Sequence, residues 1–403
     1  MQTTHKDHKR CPLLWKHICV NTDGSLAPCC EITKFDGPMD ANESLSDAYN
    51  KPQFKRLRQQ MLDGESNEHC ERICYKRERQ GFTSKRLSEI AKYEKKFGTA
   101  FTGNETTHGD INEVNYLDVK PSNFCNSKCV MCNNNRSSQF ALESKKHRDY
   151  KGPIIIGGWY PDNSYKFLDI YKRVWRYKIN GGETSVMPEL EQILKEVAEG
   201  ESPDSQLVLN INNTFDITKF DNYLQRVNRV SIGHSIEGWG TVNDYIRFPA
   251  QWNSILPNLK KFHTYAQENK SVDSSLIMCI MSLNYLDFPN ALLKLHKEFP
   301  SFDFHVEPLH QPRQLRVNGL TRSQLELGLF RLNMVLKELP EHITSKLENI
   351  KRFYQQSAEQ GTNQETRTKL IEYCSHMDQV RGINIQDYIP ELQLNTQDRK
   401  INA

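Results

Sequence analysis

From residue 113 to residue 307 the chain repeats one pattern. A short run in which apolar residues alternate or dominate is followed by a longer segment with apolar residues three or four positions apart. The first spacing is that of a strand with one buried face, the second that of a helix packed along one stripe. Strands are expected over 113–119, 177–180, 206–212, 229–236, 275–282 and 302–307. Helices are expected over 137–147, 188–199 with proline in its first turn, 216–227, 251–268 and 287–299. Strand and helix in alternation make a parallel α/β sheet. Beyond it, 323–338 and 341–359 read as amphipathic helices and 360–368 as a polar loop, while 153–159 reads as an insertion acting as a lid on the first strand–helix unit.

Composition narrows the class. The 403 residues are enough for about two or three domains, and we divide them at 1–100, 112–320 and 321–403. Hydrophobic residues make up 37% and aromatics 10%, so the chain has material for a core. A net charge of +3 is too small for a polyanion-binding surface over the whole molecule. Residues 51–97 are an exception: 13 basic residues against 7 acidic ones admit a nucleic-acid or nucleotide partner there, although basic helices are usually solvated faces. The first ten residues are charged, and no window approaches 18 uncharged apolar residues. The reading is a cytoplasmic protein that does not engage a membrane.

The 11 cysteines change the picture most. Six precede residue 75 (Cys11, Cys19, Cys29, Cys30, Cys70, Cys74), three lie within eight residues (Cys125, Cys129, Cys132), and Cys279 and Cys374 stand alone. A long chain without a secretory leader uses clumped thiols as soft metal ligands more often than as disulfides. Cys125, Cys129 and Cys132 come after the strand ending at Val119, so they sit on a strand-exit loop. Three thiolates hold three irons of a four-iron cluster and leave one iron open; the alternative is a zinc ion completed by a distant residue. The next strand ends in Asn180-Gly181-Gly182-Glu183, where two glycines let backbone approach closely and a carboxylate can meet a cation. Cys279, inside an apolar strand, reads as a small buried hydrophobe, and Cys374 has no identifiable partner.

Cys-x3-Cys-x2-Cys on such a loop, with Gly-Gly-Glu 49 residues after Cys132, resembles the radical S-adenosylmethionine (radical SAM) superfamily. The resemblance implies a partial (β/α)6 TIM-like barrel with active groups at the C-terminal strand ends. It implies that Cys125, Cys129 and Cys132 bind a 4Fe-4S cluster whose open iron is chelated by S-adenosylmethionine. It also implies that Gly181, Gly182 and Glu183 meet the cofactor's amino group, and that Asn210 and Asn212 contact its ribose or carboxylate. Met131 stands where relatives have an aromatic residue. Ser235-Ile-Glu237-Gly238 resembles the Ser-x-Asp-Gly of peptide-modifying relatives, with Ser235 at the cofactor and Glu237 in the place of a base. Arg247 matches an arginine that pairs with the cofactor's carboxylate. His305 and Glu307 share one face of the sixth strand with Asp303, and His305 joins Glu237 as a catalytic candidate; a satisfied polar core is the plainer reading of that face.

In the N-terminal stretch, a turn at Asp23-Gly24 folds a hairpin that brings Cys11 toward Cys29, a helix is expected over 46–61, and then come Cys70 and Cys74. This small α+β module resembles the SPASM or twitch auxiliary-cluster domain, here placed before the barrel, with C-terminal helices after it. The resemblance implies a second 4Fe-4S cluster on Cys11, Cys29, Cys70 and Cys74, with Cys30 as the alternate to Cys29; four thiolates would also close a structural zinc site. Cys19 reads as a packed hairpin residue. The activity implied by the resemblance is reductive cleavage of S-adenosylmethionine to a 5′-deoxyadenosyl radical that takes hydrogen from a substrate, with electrons from a donor such as flavodoxin or ferredoxin. A peptide or protein comes first as substrate and a small sugar or alcohol second. A reading of another class is a non-catalytic, zinc-stabilised module that binds nucleic acid or protein.

Overall fold

The computed structural model describes residues 10–32, 35, 37, 39–40, 42–79, 81–99, 101, 106–147, 156–159, 168–200, 202 and 204–394. One eight-stranded sheet organises them, in the order β2-β1-β3-β4-β5-β6-β7-β8. The strands are β1 His17–Val20, β2 Leu26–Ala27, β3 Tyr116–Val119, β4 Arg176–Ile179, β5 Gln206–Ile211, β6 Arg229–Ser235, β7 Val272–Ile280 and β8 Asp303–Pro308. β3 to β8 are the six expected strands; they run parallel and in chain order.

That order explains the architecture. Parallel crossovers are right-handed, and without a reversal of strand order every connecting helix falls on the same face. The twisted sheet then curls away from its helices into an open half barrel. Burial agrees with this geometry: on β5, Leu207, Leu209 and Ile211 are buried outward under helices, while Gln206, Val208 and Asn210 point inward and stay half-exposed.

The sheet does not stop at six strands. β1 pairs parallel with β3, His17 opposite Tyr116 and Val20 opposite Val119, and β2 returns antiparallel beside β1. Gly24 makes that turn at φ 80°, a conformation that favours glycine. The N-terminal module therefore extends the first edge of the barrel sheet. It also reaches the opposite edge, where Arg77 pairs with Glu307 of β8 at 2.9 Å and the Arg352 guanidinium lies 5.1 Å from the Phe82 ring centre.

Four expectations for helices and loops change in the structure, the helix expected over 341–359 breaking into Glu341–Thr344, the turn Ser345–Leu347 and Glu348–Gln360. The helix expected over 46–61 is two helices, Leu45–Tyr49 and Pro52–Leu62, because Pro52 has no N–H to continue the first and instead starts the second. The helix expected over 216–227 shortens to the turns Ile217–Phe220 and Asp221–Leu224. The loop expected over 360–368 ends at Asn363, whose side chain accepts from Thr366 N and caps the helix Gln364–Arg381. Of the expected insertion, 153–155 lies outside the described residues. Its end is pinned: Gly158 bridges to Ser122 and Trp159 Nε1 donates to Lys120 O at 3.0 Å.

Candidate metal centres and cofactor site

The cysteine loop leaves β3 and is held on every side. Cys125 N donates to Ser138 Oγ at 3.2 Å and Ser127 N to Cys125 Sγ at 3.4 Å. Lys128 N and Val130 N donate to the carbonyls of Phe248 and Ile246. Tyr373 Oη, from helix Gln364–Arg381, donates to Val130 O at 2.7 Å. Asn212 Nδ2, just past β5, donates to Asn126 Oδ1 at 2.9 Å and Ser127 Oγ at 3.1 Å. Burial pushes the Cys125 and Cys132 thiols up to about 12, and the neighbouring cysteines add to the shift. Burial makes each of the three thiols resist ionisation, and a cation that takes up their charge removes that resistance.

Gly181 and Gly182 serve this loop directly. A Cβ on Gly182 would lie 2.0 Å from Phe124 O, and one on Gly181 2.4 Å from Ser122 O. Gly182 N donates to Ser122 O at 3.1 Å and Glu183 N to Phe124 O at 2.7 Å. The paired glycines thus let the end of β4 lie against the cysteine loop, backbone to backbone. Glu183 is buried, accepting from Ser185 N at 3.0 Å and Asn212 N at 2.7 Å. Burial raises its carboxyl to about 7, so the site favours a neutral acid until a cation arrives.

That shift predicts a pH dependence. The folded chain keeps a proton on Glu183 up to about pH 7, whereas the unfolded carboxyl releases it near its ordinary value of 4.5. The proton-linked stability is therefore fully present below the unfolded value and is lost as pH rises through the folded one. Urea unfolding of the metal-free chain should show stability falling between pH 5 and pH 8, with Glu183→Gln flattening that segment. Parallel curves for both proteins would refute it.

Glu237 does not stand as a free base. Its Oε1 accepts from Arg247 Nη2 at 2.7 Å and its Oε2 from Cys279 N at 2.7 Å. Each oxygen takes one of these bonds, so Glu237 holds Arg247 and ties β6 to β7. Arg247 in turn places Nη1 4.0 Å from Cys129 Sγ. The cysteine loop, Gly181–Glu183, Asn212 and Arg247 are therefore one assembly at the C-terminal strand ends.

The remaining candidates line the inner wall. Asn210 Nδ2 donates to Asn180 Oδ1 at 2.9 Å, Asn180 Nδ2 to Asp118 Oδ1 at 3.0 Å, and Lys178 pairs with Asp118 at 3.2 Å. Ser235, Ile277 and His305 stand in register across β6, β7 and β8, and Cys279 stands opposite Glu307. Ser235 is half-exposed, while His305 and Glu307 are exposed. His305 is four strands from β4, on the open interior, and is not a satisfied core residue. Cys279 also differs from expectation, because alternation puts its thiol on the inner wall, half-buried, near Glu237 and Glu307.

In the N-terminal module, Cys11, Cys29, Cys70 and Cys74 line one cavity, walled by Leu13, Leu57, Met61 and Ile73. Cys30 is not among the lining residues and packs instead with Cys19 and Ala27 behind the hairpin. The two neighbouring thiols stay within hydrogen-bonding reach of each other, Cys29 at the cavity wall and Cys30 one step behind it. Among the described residues, no three His, Cys, Asp or Glu side chains gather as the ligands of a single ion. The cavity and its donor set fit a cluster. Cys29→Ala should therefore lose roughly half the iron of the reconstituted chain, and Cys30→Ala should keep nearly all of it. Equal losses in iron assays would remove the distinction.

Residues 11–75 match the SPASM family, described as an iron–sulfur cluster-binding domain. No curated protein matches the chain. Among solved structures, native anSMEcpe with bound AdoMet is similar at 16% identity and a TM-score of 0.37, over 54% of this chain and 59% of that one. Streptococcus suis SuiB bound to S-adenosylmethionine is similar at 14% identity and 0.36, over 64% and 49%. SuiB bound to precursor peptide SuiA gives 13% and 0.37, over 64% and 60%. The chain thus spans less than two thirds of each, and likeness at this level carries no argument about activity.

Several residues of the assembly carry no signal in the sequence: Asn126, Ser127, Ser138, Glu143, Phe248 and Tyr373. They act through side-chain and backbone contacts between segments as much as 243 positions apart, Glu143 by pairing with Arg381 and Lys128, and for such contacts no local motif exists. Cys279 was within reach, since counting the strand period back from Glu237's row would have turned it inward.

Proposed function

We propose that this protein is a radical SAM enzyme with an N-terminal SPASM auxiliary-cluster domain, acting on a peptide or protein. One observation carries the reading: three cysteines leave the first barrel strand, interlock with Gly181–Glu183 on the second, and lie beside Arg247. Cys125, Cys129 and Cys132 hold the site-differentiated cluster, and Cys11, Cys29, Cys70 and Cys74 the auxiliary one. Bound there, the cluster and S-adenosylmethionine supply an electron and a 5′-deoxyadenosyl radical for hydrogen abstraction. Glu183, held by Ser185 and Asn212, would accept a hydrogen bond from the cofactor's amino group. Arg247, oriented by Glu237, meets the carboxylate. Asn210, Ser235 and His305 border the substrate space, where the wall is polar and open.

A peptide is preferred because Ser235, Ile277 and His305 present an accessible row across the inner faces of β6 to β8. Oxidation or cross-linking is the reaction type, with a flavodoxin- or ferredoxin-like donor. Residues 1–100, 112–320 and 321–403 are taken as the auxiliary module, the barrel and the C-terminal extension. A cytoplasmic site of action is part of the proposal; among the described residues no helix is long and apolar enough to cross a membrane.

Anaerobic reconstitution tests the proposal. Brown protein that forms 5′-deoxyadenosine when reduced, with cleavage lost in Cys125→Ala, is expected. Colourless protein with stoichiometric zinc, or reduced cluster protein that leaves S-adenosylmethionine intact, refutes it.

A further inference from the structure

Two buried guanidinium groups from distant parts of the chain reach the Cys129 corner of the loop, one at its thiol and one at the carbonyl just before it. Arg247 Nη1 is 4.0 Å from Cys129 Sγ, and Nη2 is fixed on Glu237. Arg381, at the end of helix Gln364–Arg381, donates from Nη2 to the carbonyl of Lys128, one residue before Cys129. Its Nε and Nη2 pair with Glu143 at 3.2 and 3.1 Å, and its guanidinium lies 5.1 Å from the Phe248 ring centre. The two side chains are 11% and 1% exposed.

Each guanidinium keeps one buried N–H without an acceptor among the described residues, Nε on Arg247 and Nη1 on Arg381. Buried donors are nearly always satisfied; in the proposed function the cofactor's carboxylate meets the Arg247 fork, and the unspent N–H of Arg381, whose Nη2 is on the carbonyl next to Cys129, points to an acceptor that is not a side chain of this protein. Sulfur atoms of a cluster are such acceptors. Because each cation is already paired with a glutamate, the pairs deliver directed N–H groups more than net charge. Hydrogen bonds to cluster sulfurs favour the electron-richer, reduced state, and they are among the levers that set reduction potentials.

We propose that Arg247 and Arg381, each fixed by its glutamate, form a two-sided donor clamp on the Cys129 corner of the cluster and raise its reduction potential. The inference rests on the proposed function, in which Cys125, Cys129 and Cys132 hold a cluster.

The test is a redox titration of the reconstituted full chain monitored by electron paramagnetic resonance, with iron content and thermal midpoint measured alongside. The auxiliary-cluster signal is the internal reference. Arg381→Gln and Arg247→Gln should each lower the reduced-to-oxidised ratio about tenfold at fixed ambient potential, a shift of about 59 mV for one electron. Arg381→Lys, which keeps the charge and loses the planar fork, should not restore it. Full iron content with an unshifted potential in both glutamine variants overturns the clamp. Loss of iron from the loop in those variants also overturns it, since the arginines would then be scaffolding. If the unaltered chain forms no cluster at the three cysteines, the functional reading itself falls, a result distinct from an unshifted potential.

Discussion

Gly182→Ala should cost at least about 3 kcal/mol and strip iron from the Cys125–Cys132 loop while leaving the auxiliary cluster loaded. The added Cβ would sit 2.0 Å from Phe124 O, 2.4 Å from Phe124 C and 2.5 Å from Asn123 O. All three are backbone atoms, so no rotamer change relieves the overlap and the two loops must separate. Separation breaks Gly182 N to Ser122 O and Glu183 N to Phe124 O. Urea midpoints and iron-to-protein ratios measure both effects. A variant with unaltered stability and iron would show that the two loops need not touch.

Glu143→Ala should destabilise the chain by about 3–5 kcal/mol, the usual cost of leaving a buried charge without its partner. Glu143 and Arg381 are 2% and 1% exposed as side chains and pair at 3.1 Å, with Lys128 at 3.6 Å as a second cation. Removing the carboxylate strands Arg381 against Phe248 and loosens its bond to the Lys128 carbonyl, so the cysteine loop should lose order together with global stability. Denaturant unfolding reads the first effect and hydrogen exchange at residues 128–130 the second. A loss below about 1 kcal/mol would mean that water reaches Arg381 and that the pair behaves as a surface bridge.

The legible part of the molecule was that in which local spacing and fold coincide. A strand's period of two and a helix's stripe are written into consecutive residues, so all six barrel strands appeared, four of them within two residues of their observed ends. Cys125, Cys129 and Cys132 lie within eight residues, and their chemistry comes from proximity alone. Where chain spacing and spatial spacing part company, local pattern misleads in a consistent way. Glu237 looked like a base because its neighbours Ser235 and Gly238 form a motif, yet its role is set by Arg247 and by the amide of Cys279 on the next strand. Gly181 and Gly182 looked like cofactor contacts, and the structure adds a backbone approach to a loop some 58 residues earlier.

By itself, then, the amino-acid order determined that a parallel strand–helix series would form, that no long apolar span interrupts it, and which thiols are close enough to share a cluster. Tertiary structure decided that Cys29 and not Cys30 faces the auxiliary cavity, that the N-terminal hairpin continues the barrel sheet beside β3, and that Arg381 stands next to Cys129. The physical reason is range. Periodicity and ligand spacing are properties of neighbouring residues, whereas side-chain direction after a turn, edge-strand pairing and buried ion pairs depend on which distant surfaces exclude water together.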